Sequence, residues 1–547
     1  MFRILHNYNA VYTDALIKAG IVNPNDGFKI TQHCLTPKDK CFNEIAKKGG
    51  ELYDLLKQYK TCFYIDRLHG GTYYSEYDYD YSLVEEYENL TSGGFLGFQV
   101  HELALTRLMD WRRIKTQMEK MQFKEWNEQN IINAVREVSA NKDFLHFSSG
   151  SAYEYSRLNM PENWNEYIED IGFVINDRQR KTENRVLLCD SGFMTCGFDK
   201  ETGVKHGFAE IGRGTPFTKM QIAVRRGVSK ALGREWGVYY EPWGGDPFST
   251  YNYMENGQNE WYITNENFGF NFYTDGGSSM NLARRIFYYS LFSGANYMSE
   301  EWGQANTFYN WRDFELSPYG KIKKEFNNFA RNFKDIVPFV PVAIVIPHEG
   351  KIFGVYDEGD ITFPNNDPLS DAFVIKRKIK HLFYDGVQIG KEDDVLTNSP
   401  YGGIFDILYD DSTENISGRY DLVIDFSGRI KGTNVVDGND ITETENRLKK
   451  LLEKLLPFKI ESDGCIDYLM FSDQGRKYIS LFNHSGISKS VKCGETADKT
   501  AEKNIKLLPS GSIIKEVTPI TNCDYTIENN VLGGRLSAGD ILLIEYA

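Results

Sequence analysis

Residues 233–246 read GREWGVYYEPWGGD, and this stretch decides the fold that we predict. Val238, Tyr239 and Tyr240 are β-branched or aromatic, which favours a short strand. Glu241 follows, and the proline and glycines after it end the strand and let backbone approach a ligand. A carboxylate at the exit of a strand is typical of the active-site rim of a barrel enzyme. Glu241 is therefore the first candidate for a catalytic group.

A predicted helix over Pro216–Leu232 precedes this strand. Thr215 is its predicted N-cap, Pro216 takes the first helical position, and Gly233 follows the last turn. Its apolar residues recur on one face: Phe217, Met220, Val224, Val228 and Leu232. The pattern predicts a helix that packs one face against a sheet.

Residues 1–337 repeat this order of short strand, polar loop and amphipathic helix. The alternation predicts a parallel sheet, because each helix returns the chain to the same edge. The predicted strands are Arg3–Asn7, Phe28–His33, Cys62–Ile65, Phe95–Val100, Phe144–Phe147, Val186–Cys189, Val238–Tyr240 and Asn296–Ser299. Eight strands predict a (β/α)8 TIM barrel. Lys205–Arg213 is a further strand candidate, but no helix separates it from Val186–Cys189, so we predict a loop after strand six.

The composition changes after Val337. Val342–Ile346 and Asp421–Phe426 are strand candidates with helical segments between and after them, which predicts a small α/β domain of the flavodoxin or glutamine amidotransferase type. Short strands separated by Gly, Asn and Ser then predict an antiparallel β domain. The predicted domains are a barrel over 1–337, a small α/β domain over 338–457 and a C-terminal antiparallel β domain over 458–547.

The composition limits the partners and the compartment. The formal net charge of −15, without a cluster of Lys and Arg, argues against a nucleic-acid partner. The eight cysteines are scattered without a CxxC pair, which indicates thiols in a reducing compartment. The segment MFRILHNYNAVYTDAL lacks the pattern of a signal peptide, and no run of about 18 apolar residues offers a membrane span. We therefore expect a cytoplasmic protein without a membrane partner.

Polar side chains collect at the ends of the predicted strands, where a (β/α)8 barrel builds its active site. We predict substrate contacts from His33, Asp66, Arg67, His101, Asp190, Glu210, Tyr240, Trp243, Glu300, Glu301 and Trp302. Asp66 and Arg67 form either a substrate-positioning pair or a structural ion pair. The two tryptophans either stack on a sugar ring or pack the rim. One of the adjacent glutamates, Glu300 or Glu301, binds a substrate hydroxyl.

Glu102 follows strand four and Glu241 follows strand seven, so their carboxylates can face each other across one barrel rim. A retaining glycosidase needs such a pair, about 5–5.5 Å apart. In this interpretation Glu241 attacks the anomeric carbon. Glu102 first protonates the leaving oxygen and then activates water.

This arrangement resembles clan A of the retaining glycoside hydrolases, which carry glutamates at the ends of strands four and seven. The order of barrel, small α/β domain and short β domain is similar to the family 42 β-galactosidases. The similar segments are Tyr239–Glu241, Met280–Phe292, Gly294–Tyr297, Glu315–Gly320 and Leu481–Gly486. Clan A usually has asparagine before the acid/base. This chain has His101 there, which indicates a related but separate family.

The resemblance implies a β-galactosidase-like glycoside hydrolase that takes a glycoside or an oligosaccharide. In family 42 the small α/β domain helps to build a trimer, so the resemblance also implies a homo-oligomer, a trimer or a dimer. The sequence contains no GxGxxG or P-loop motif, and we expect no cofactor. The configuration of the sugar does not follow from residue spacing.

Two other functions fit the same residues. A barrel with a sugar pocket but no turnover would be a carbohydrate-binding protein. A metal-dependent hydrolase would take its ligands from His6, His33, His146 and Asp190. No HxH or HExxH spacing supports a metal site, and we predict none.

Overall fold

The computed structural model describes residues 1–8, 10–31, 48–66, 83–127, 129–131, 133–134, 137, 161–190, 194–212, 217–242, 261–262, 277–301, 303–310, 312–349, 370–384, 396–490 and 494–547. None of the helices in these ranges has both the length and the apolar composition that a membrane span requires.

Eight parallel strands form a closed barrel, which confirms the predicted (β/α)8 fold. The strands are β1 Arg3–Asn7, β2 Gly27–Thr31, β3 Phe63–Asp66, β4 Phe95–His101, β5 Val186–Asp190, β6 His206–Gly212, β7 Trp236–Glu241 and β8 Tyr297–Glu300. Neighbours in the chain are neighbours in the barrel, and β8 pairs with β1 to close it. The interior is filled by apolar and aromatic side chains, among them Leu5, Tyr64, Leu187, Cys189, Phe208, Tyr239 and Tyr297.

The structure corrects two of the predicted strands. β5 pairs directly with β4, so the predicted fifth strand, Phe144–Phe147, has no place in the closed barrel; it lies outside the described residues. β6 pairs with both β5 and β7, so the prediction of a loop over Lys205–Arg213 is wrong. The described part of the connection between β5 and β6 contains a 3-10 helix, Met194–Phe198, and a four-residue helix, Asp199–Thr202, where we expected a long loop. We predicted one strand too many before β5 and one too few after it, so the strand that ends in Glu241 is still the seventh.

The longer helices described around the barrel are α1 Ala10–Lys18, α2 Glu51–Tyr59, α3 Val84–Thr91, α4 Leu103–Lys120, α5 Trp164–Lys181, α6 Thr218–Ala231, α7 Met280–Phe292 and α8 Pro318–Ala330. The side chains of Asn163, Ser279 and Ser317 cap α5, α7 and α8. For α6, the predicted cap Thr215 lies outside the described residues.

A small parallel sheet follows the barrel, as predicted for an α/β domain. Its strands are β10 Val342–Ile346, β11 Phe405–Tyr409, β12 Leu422–Asp425 and β13 Val435–Asp437, in the order β11, β10, β12, β13. The strand β9, Ile336–Pro338, precedes it and pairs elsewhere. The helices of this region are α9 Ser370–Phe383 and α10 Ile441–Leu455.

The C-terminal region is antiparallel, as predicted. Its strands are β14 Phe458–Ser462, β15 Asp467–Asp473, β16 Arg476–Phe482, β17 Ile487–Ser490, β18 Gly494–Ala497, β19 Lys503–Pro509, β20 Ile514–Pro519, β21 Asp524–Glu528, β22 Val531–Leu536 and β23 Ile541–Tyr546. One sheet has the order β9, β15, β16, β23, β20, a second has the order β14, β19, β22, β21, and β17 pairs with β18. The domain boundaries at 337 and 457 stay predictions.

The helix α6 lies between the barrel and the small sheet and is buried along most of its length. It approaches β11 so closely that a Cβ atom at Gly227 would lie 2.5 Å from the Ile407 carbonyl oxygen. Beside this contact, Arg226 Nε donates to Asp406 Oδ1 at 2.7 Å, and both side chains are almost fully buried. Removal of either partner would leave a buried charge without its counter-charge, which strongly destabilises a fold.

A second buried ionic cluster joins the barrel layer to the C-terminal sheet. Lys219 Nζ of α6 lies 2.7 Å from Asp467 Oδ2 of β15. His484 Nε2 lies 3.2 Å from the same oxygen, and Arg285 of α7 donates to His484 Nδ1 at 3.1 Å. Because arginine only donates, the imidazole accepts at Nδ1 and donates at Nε2.

A β-bulge interrupts β4 at Gly97. The register with β3 shifts there, and Gly97 has a φ of 130°. Leu96 lies in the barrel interior, but Phe98 packs on the outside, so the bulge shifts the alternation by one residue. The residues that follow, Gln99 and His101, consequently share the inner face.

Candidate active site

Strand alternation decides which side of the barrel each predicted residue of β7 faces. Tyr239 lies in the interior cluster, whereas Tyr240 belongs to the layer between the barrel and α7. Side chains alternate along a strand, so Glu241 extends from the same face as Tyr239. Glu241 is 5% exposed. The candidate nucleophile is therefore an inward, nearly buried carboxylate at the rim.

Gly212 at the end of β6 supports the backbone of Glu241. The two residues are register partners, and Gly212 has a φ of 137°. A Cβ atom at Gly212 would lie 2.3 Å from the Glu241 carbonyl oxygen. Only glycine fits this close approach, which fixes the end of β7 against β6.

Glu102 lies in a strained turn between β4 and α4. Its φ of 48° and ψ of 36° are left-handed values that residues with a Cβ atom rarely adopt. Its backbone N–H donates to the carbonyl of Cys189 at 2.9 Å, which ties the turn to β5. The side chain is a quarter exposed. Such strain concentrates at functional sites, and here it projects a partly accessible carboxylate at the rim.

The imidazole of His101 is the centre around which the carboxylates gather. His101 Nε2 lies 3.6 Å from Glu210 Oε1, 3.9 Å from Glu102 Oε2 and 3.9 Å from Glu301 Oε1. The ring also packs edge-on against Tyr239, with centroids 5.2 Å apart. The structure therefore brings the predicted residues His101, Glu102, Glu210 and Glu301 together, beside Tyr239 on the inner face of β7.

Two polar residues that the sequence analysis did not select complete the inner wall. Gln99 Nε2 lies 3.1 Å from His101 Nδ1. Lys29 Nζ of β2 donates to Tyr239 Oη at 2.9 Å and lies 3.4 Å from Asp66 Oδ2. Both residues lie between apolar neighbours within a strand, and this alternation was the available signal. Asp66 thus pairs with Lys29, whereas the pair with Arg67 that we predicted lies outside the described residues.

Two residues that we predicted as substrate contacts, Tyr240 and Glu300, have side chains that leave the barrel interior. Tyr240 packs on α7, with its ring edge-on to Phe287 at 6.0 Å and its hydroxyl bonded to Ser278. Glu300 points toward α8, where its Oε2 lies 2.9 Å from Lys323 Nζ. The next residue, Glu301, faces the site and is the member of the pair near His101.

His6 does not join the rim either, and this corrects the predicted set of metal ligands. Leu5 lies inside the barrel, so the next side chain of β1 faces outward. His6 Nε2 lies 2.9 Å from Asp26 Oδ2 on that outer side.

The remaining candidates lie outside the described residues and stay predictions. They are His33, Arg67, His146, Trp243 and Trp302. Asp190 is the last residue of β5, but its side chain is not among the described parts.

Comparisons with known proteins give similarity in architecture at very low identity. No protein-family model and no curated protein matches the sequence. Among solved structures, a β-galactosidase from Bacillus circulans sp. alkalophilus shares 8% identity, with 100% of this chain and 99% of that chain covered and a TM-score of 0.48. A family 42 β-galactosidase from G. stearothermophilus shares 7% identity, with 100% and 98% covered and a TM-score of 0.47. An α-L-fucosidase isoenzyme 2 from Paenibacillus thiaminolyticus shares 10% identity, with 100% of both chains covered and a TM-score of 0.43. All three TM-scores are below 0.5, and we base no functional argument on them.

Proposed function

We propose that the chain is a retaining glycoside hydrolase that cleaves a β-glycosidic bond, with Glu241 as nucleophile and Glu102 as general acid and base. One observation carries the proposal. Glu241 ends β7 as an inward carboxylate, while Glu102 follows β4 and lies beside His101, which contacts Tyr239 on the inner face of β7. A carboxylate pair from these two strands is what double displacement requires.

In the first step, the carboxylate of Glu241 attacks the anomeric carbon and the glycosidic bond breaks. The proton of Glu102 goes to the leaving oxygen. In the second step, the ionised Glu102 takes a proton from water, and the water oxygen replaces Glu241 at the anomeric carbon. Glu102 shares the imidazole of His101 with two further carboxylates, those of Glu210 and Glu301.

The other residues of the site suit a sugar. Carboxylates accept hydrogen bonds from hydroxyl groups, and Glu210 and Glu301 are available for this role beside the acid/base. His101 stands where clan A usually has an asparagine, and its N–H can donate to a hydroxyl as that amide would. The buried Lys29 and Asp66 hold Tyr239, and thereby the inner face of β7.

The sequence resemblance supports the finer points of the proposal. We propose a β-galactosidase-like activity on a glycoside or an oligosaccharide. This chemistry needs no cofactor, and we propose that it takes place in the cytoplasm. We also propose a homo-oligomer whose contacts involve the small α/β domain, and the domain boundaries 1–337, 338–457 and 458–547.

A panel of nitrophenyl glycosides tests the activity, and NMR of the first product tests the stereochemistry. We expect release of a β-sugar from a β-glycoside. Glu241→Ala and Glu102→Ala should each lose most of the turnover, and azide should rescue Glu241→Ala to give the inverted glycosyl azide. Glu300→Gln is the matched control, because this rim glutamate faces outward.

Three results would contradict the proposal. These are an α-sugar as first product, full turnover by Glu241→Ala, and no hydrolysis of any glycoside that calorimetry shows to bind. The last result would favour a carbohydrate-binding barrel.

A further inference from the structure

We propose that His101, Cys189 and Glu210 form a Zn²⁺ site inside the barrel, beside the pair of Glu102 and Glu241. Neither the sequence motifs nor the proposed glycosidase mechanism uses Cys189. A bound ion would occupy His101 Nε2 and Glu210 and leave the substrate hydroxyls to Glu301, which refines the roles given to these residues in the proposed function. Metal content is measured without turnover, so the zinc site can fail or hold separately from the proposed function.

The three donor atoms lie close enough together to share one ion. One nitrogen, one sulfur and one carboxylate oxygen lie within 4.8 Å of one another. Ligand atoms at 2.0–2.3 Å from one zinc stand roughly 3.3–3.8 Å apart at the corners of a tetrahedron. The distance of 3.6 Å between His101 Nε2 and Glu210 Oε1 falls in this range and exceeds that of a hydrogen bond.

The barrel holds these donors on a rigid frame. They come from three consecutive strands, β4, β5 and β6, and His101 and Cys189 are register partners. His101, Cys189 and Glu210 are all fully buried. A metal site needs its ligands fixed before the ion arrives, and paired strands fix them better than loops do.

The chemistry of the donors selects zinc over harder ions. Thiolate and imidazole favour Zn²⁺, whereas Mg²⁺ and Ca²⁺ take oxygen ligands. The negative charges of Cys189 and Glu210 would balance the two positive charges of the ion. The site would therefore add no net charge next to Glu102, whose proton the proposed mechanism needs. Three protein ligands leave a fourth position for water.

Gln99 supplies the supporting contact that a ligating histidine usually has. Its amide nitrogen Nε2 lies 3.1 Å from His101 Nδ1. With the amide turned over, so that its oxygen takes this position, the oxygen would accept the Nδ1 proton and leave the lone pair of Nε2 for the ion. Because His101 immediately precedes Glu102, an ion at this place would also fix the strained turn of the acid/base.

The other cluster with a ligand-like composition does not carry the same inference. His348, Glu349 and Asp410 lie together at the end of the small sheet. Arg429 donates to both Glu349 and Asp410 there, so a guanidinium already supplies the positive charge.

Zinc content of the purified full-length protein tests the site. Elemental analysis after expression with added zinc should find about one equivalent per chain. After removal with a chelator and reloading with Co²⁺, a sulfur-to-cobalt charge-transfer band should appear in the near ultraviolet. Cys189→Ser should lose the band, and Cys62→Ser, a buried cysteine next to β3, should keep it.

Glu210→Gln should weaken zinc binding at least about 100-fold in a competition with a chromophoric chelator, and Gln99→Leu should weaken it about 10- to 100-fold. Less than a tenth of an equivalent of zinc together with no cobalt band in the wild-type protein would overturn the proposal. So would a cobalt band that persists in Cys189→Ser. If Cys189→Ser does not fold, the presence or absence of the band in the wild-type protein decides.

Discussion

A Cβ atom at Gly212 would lie 3.1 Å from the Glu241 Cβ atom and 2.3 Å from its carbonyl oxygen. The strands β6 and β7 thus lie in close backbone contact beside the candidate nucleophile. The position of that carboxylate depends on a residue with no side chain.

Gly212→Ala should therefore impair turnover although no catalytic group is removed. The methyl group must displace Glu241, and a misplacement of about 1 Å can cost about 100-fold in kcat/KM. Nitrophenyl glycoside kinetics measure the effect. Gly233→Ala is the control, because Gly233 also has a positive φ but no atom within 4 Å of its Cβ position. It should lose stability and keep its kcat. Equal turnover by Gly212→Ala and the wild type would show that Glu241 is not positioned in this way.

Tyr239→Phe and Tyr240→Phe form a matched pair on one strand. The first removes the hydroxyl that accepts from Lys29 on the inner face, and the second removes the hydroxyl that contacts Ser278 outside. We expect each to lose about 1 kcal/mol of stability. Only Tyr239→Phe should lower kcat, by about 10-fold or more, since the proposed site lies inside. A larger loss of kcat in Tyr240→Phe would contradict the orientation of β7.

Comparison of Glu301→Gln with Glu300→Gln tests which of these adjacent glutamates faces the active site. Glu301→Gln should reduce kcat/KM, because it changes a carboxylate that shares His101 with the candidate acid/base. Glu300→Gln should keep kcat/KM and lower stability by about 1–3 kcal/mol, because it weakens the partner of the buried Lys323. Burial lowers the pKa of Lys323, and Glu300 opposes that shift. Kinetics and thermal unfolding measure both effects, and the reverse pattern would overturn the assignment.

The stability of the fold should fall in mild acid because of His484. Burial lowers the pKa of His484 to about 4, against 6.5 for a free histidine, and Asp467 opposes the shift. Between these values the unfolded chain binds a proton that the folded chain does not. Stability is therefore lost as the pH falls from about 6.5 to about 4, by at most about 3 kcal/mol.

His484→Gln should flatten the dependence of Tm on pH across this range, because glutamine does not titrate. His348→Gln is the control, since His348 is nearly half exposed. An unchanged slope in His484→Gln would mean that another group causes the acid sensitivity.

The order of elements was largely readable from the sequence, but one strand was not. The apolar runs before Glu102 and Glu241 mark buried parallel strands, and both are barrel strands. In β6 the central residues include Gly207 and the charged Glu210, so no apolar run appears. Its connection to β5 also lacks a full-length helix. We expected a helix between neighbouring parallel strands, and for this reason we chose 144–147 as a barrel strand in place of β6.

The sequence showed which residues lie near the strand ends, but it did not show whether their side chains face into or out of the barrel. Placing residues at strand ends correctly brought together His101, Glu102, Glu210 and Glu301. It also selected Tyr240 and Glu300, because closeness to a strand end does not tell which face a side chain takes. Side chains alternate between the two faces of a strand, so an error of one residue in the alternation assigns every side chain to the wrong face. Lys29 and Cys189 were missed because they lie before the last residue of their strands, and we had selected residues at or after the strand ends.

Gly97 lets Gln99 and His101 face the pocket, because the bulge takes up one residue of the in-and-out alternation of β4. If β4 kept all of its residues but alternated regularly from Leu96, Phe98 and Val100 would turn inward, and Gln99 and His101 would face the outer helical layer. Deletion of Gly97, in contrast, would leave a regular strand in which Phe98 still faces outward and His101 still faces the pocket. Diverged relatives are best aligned by counting from this glycine, because a gap placed elsewhere in β4 would pair inner residues with outer ones.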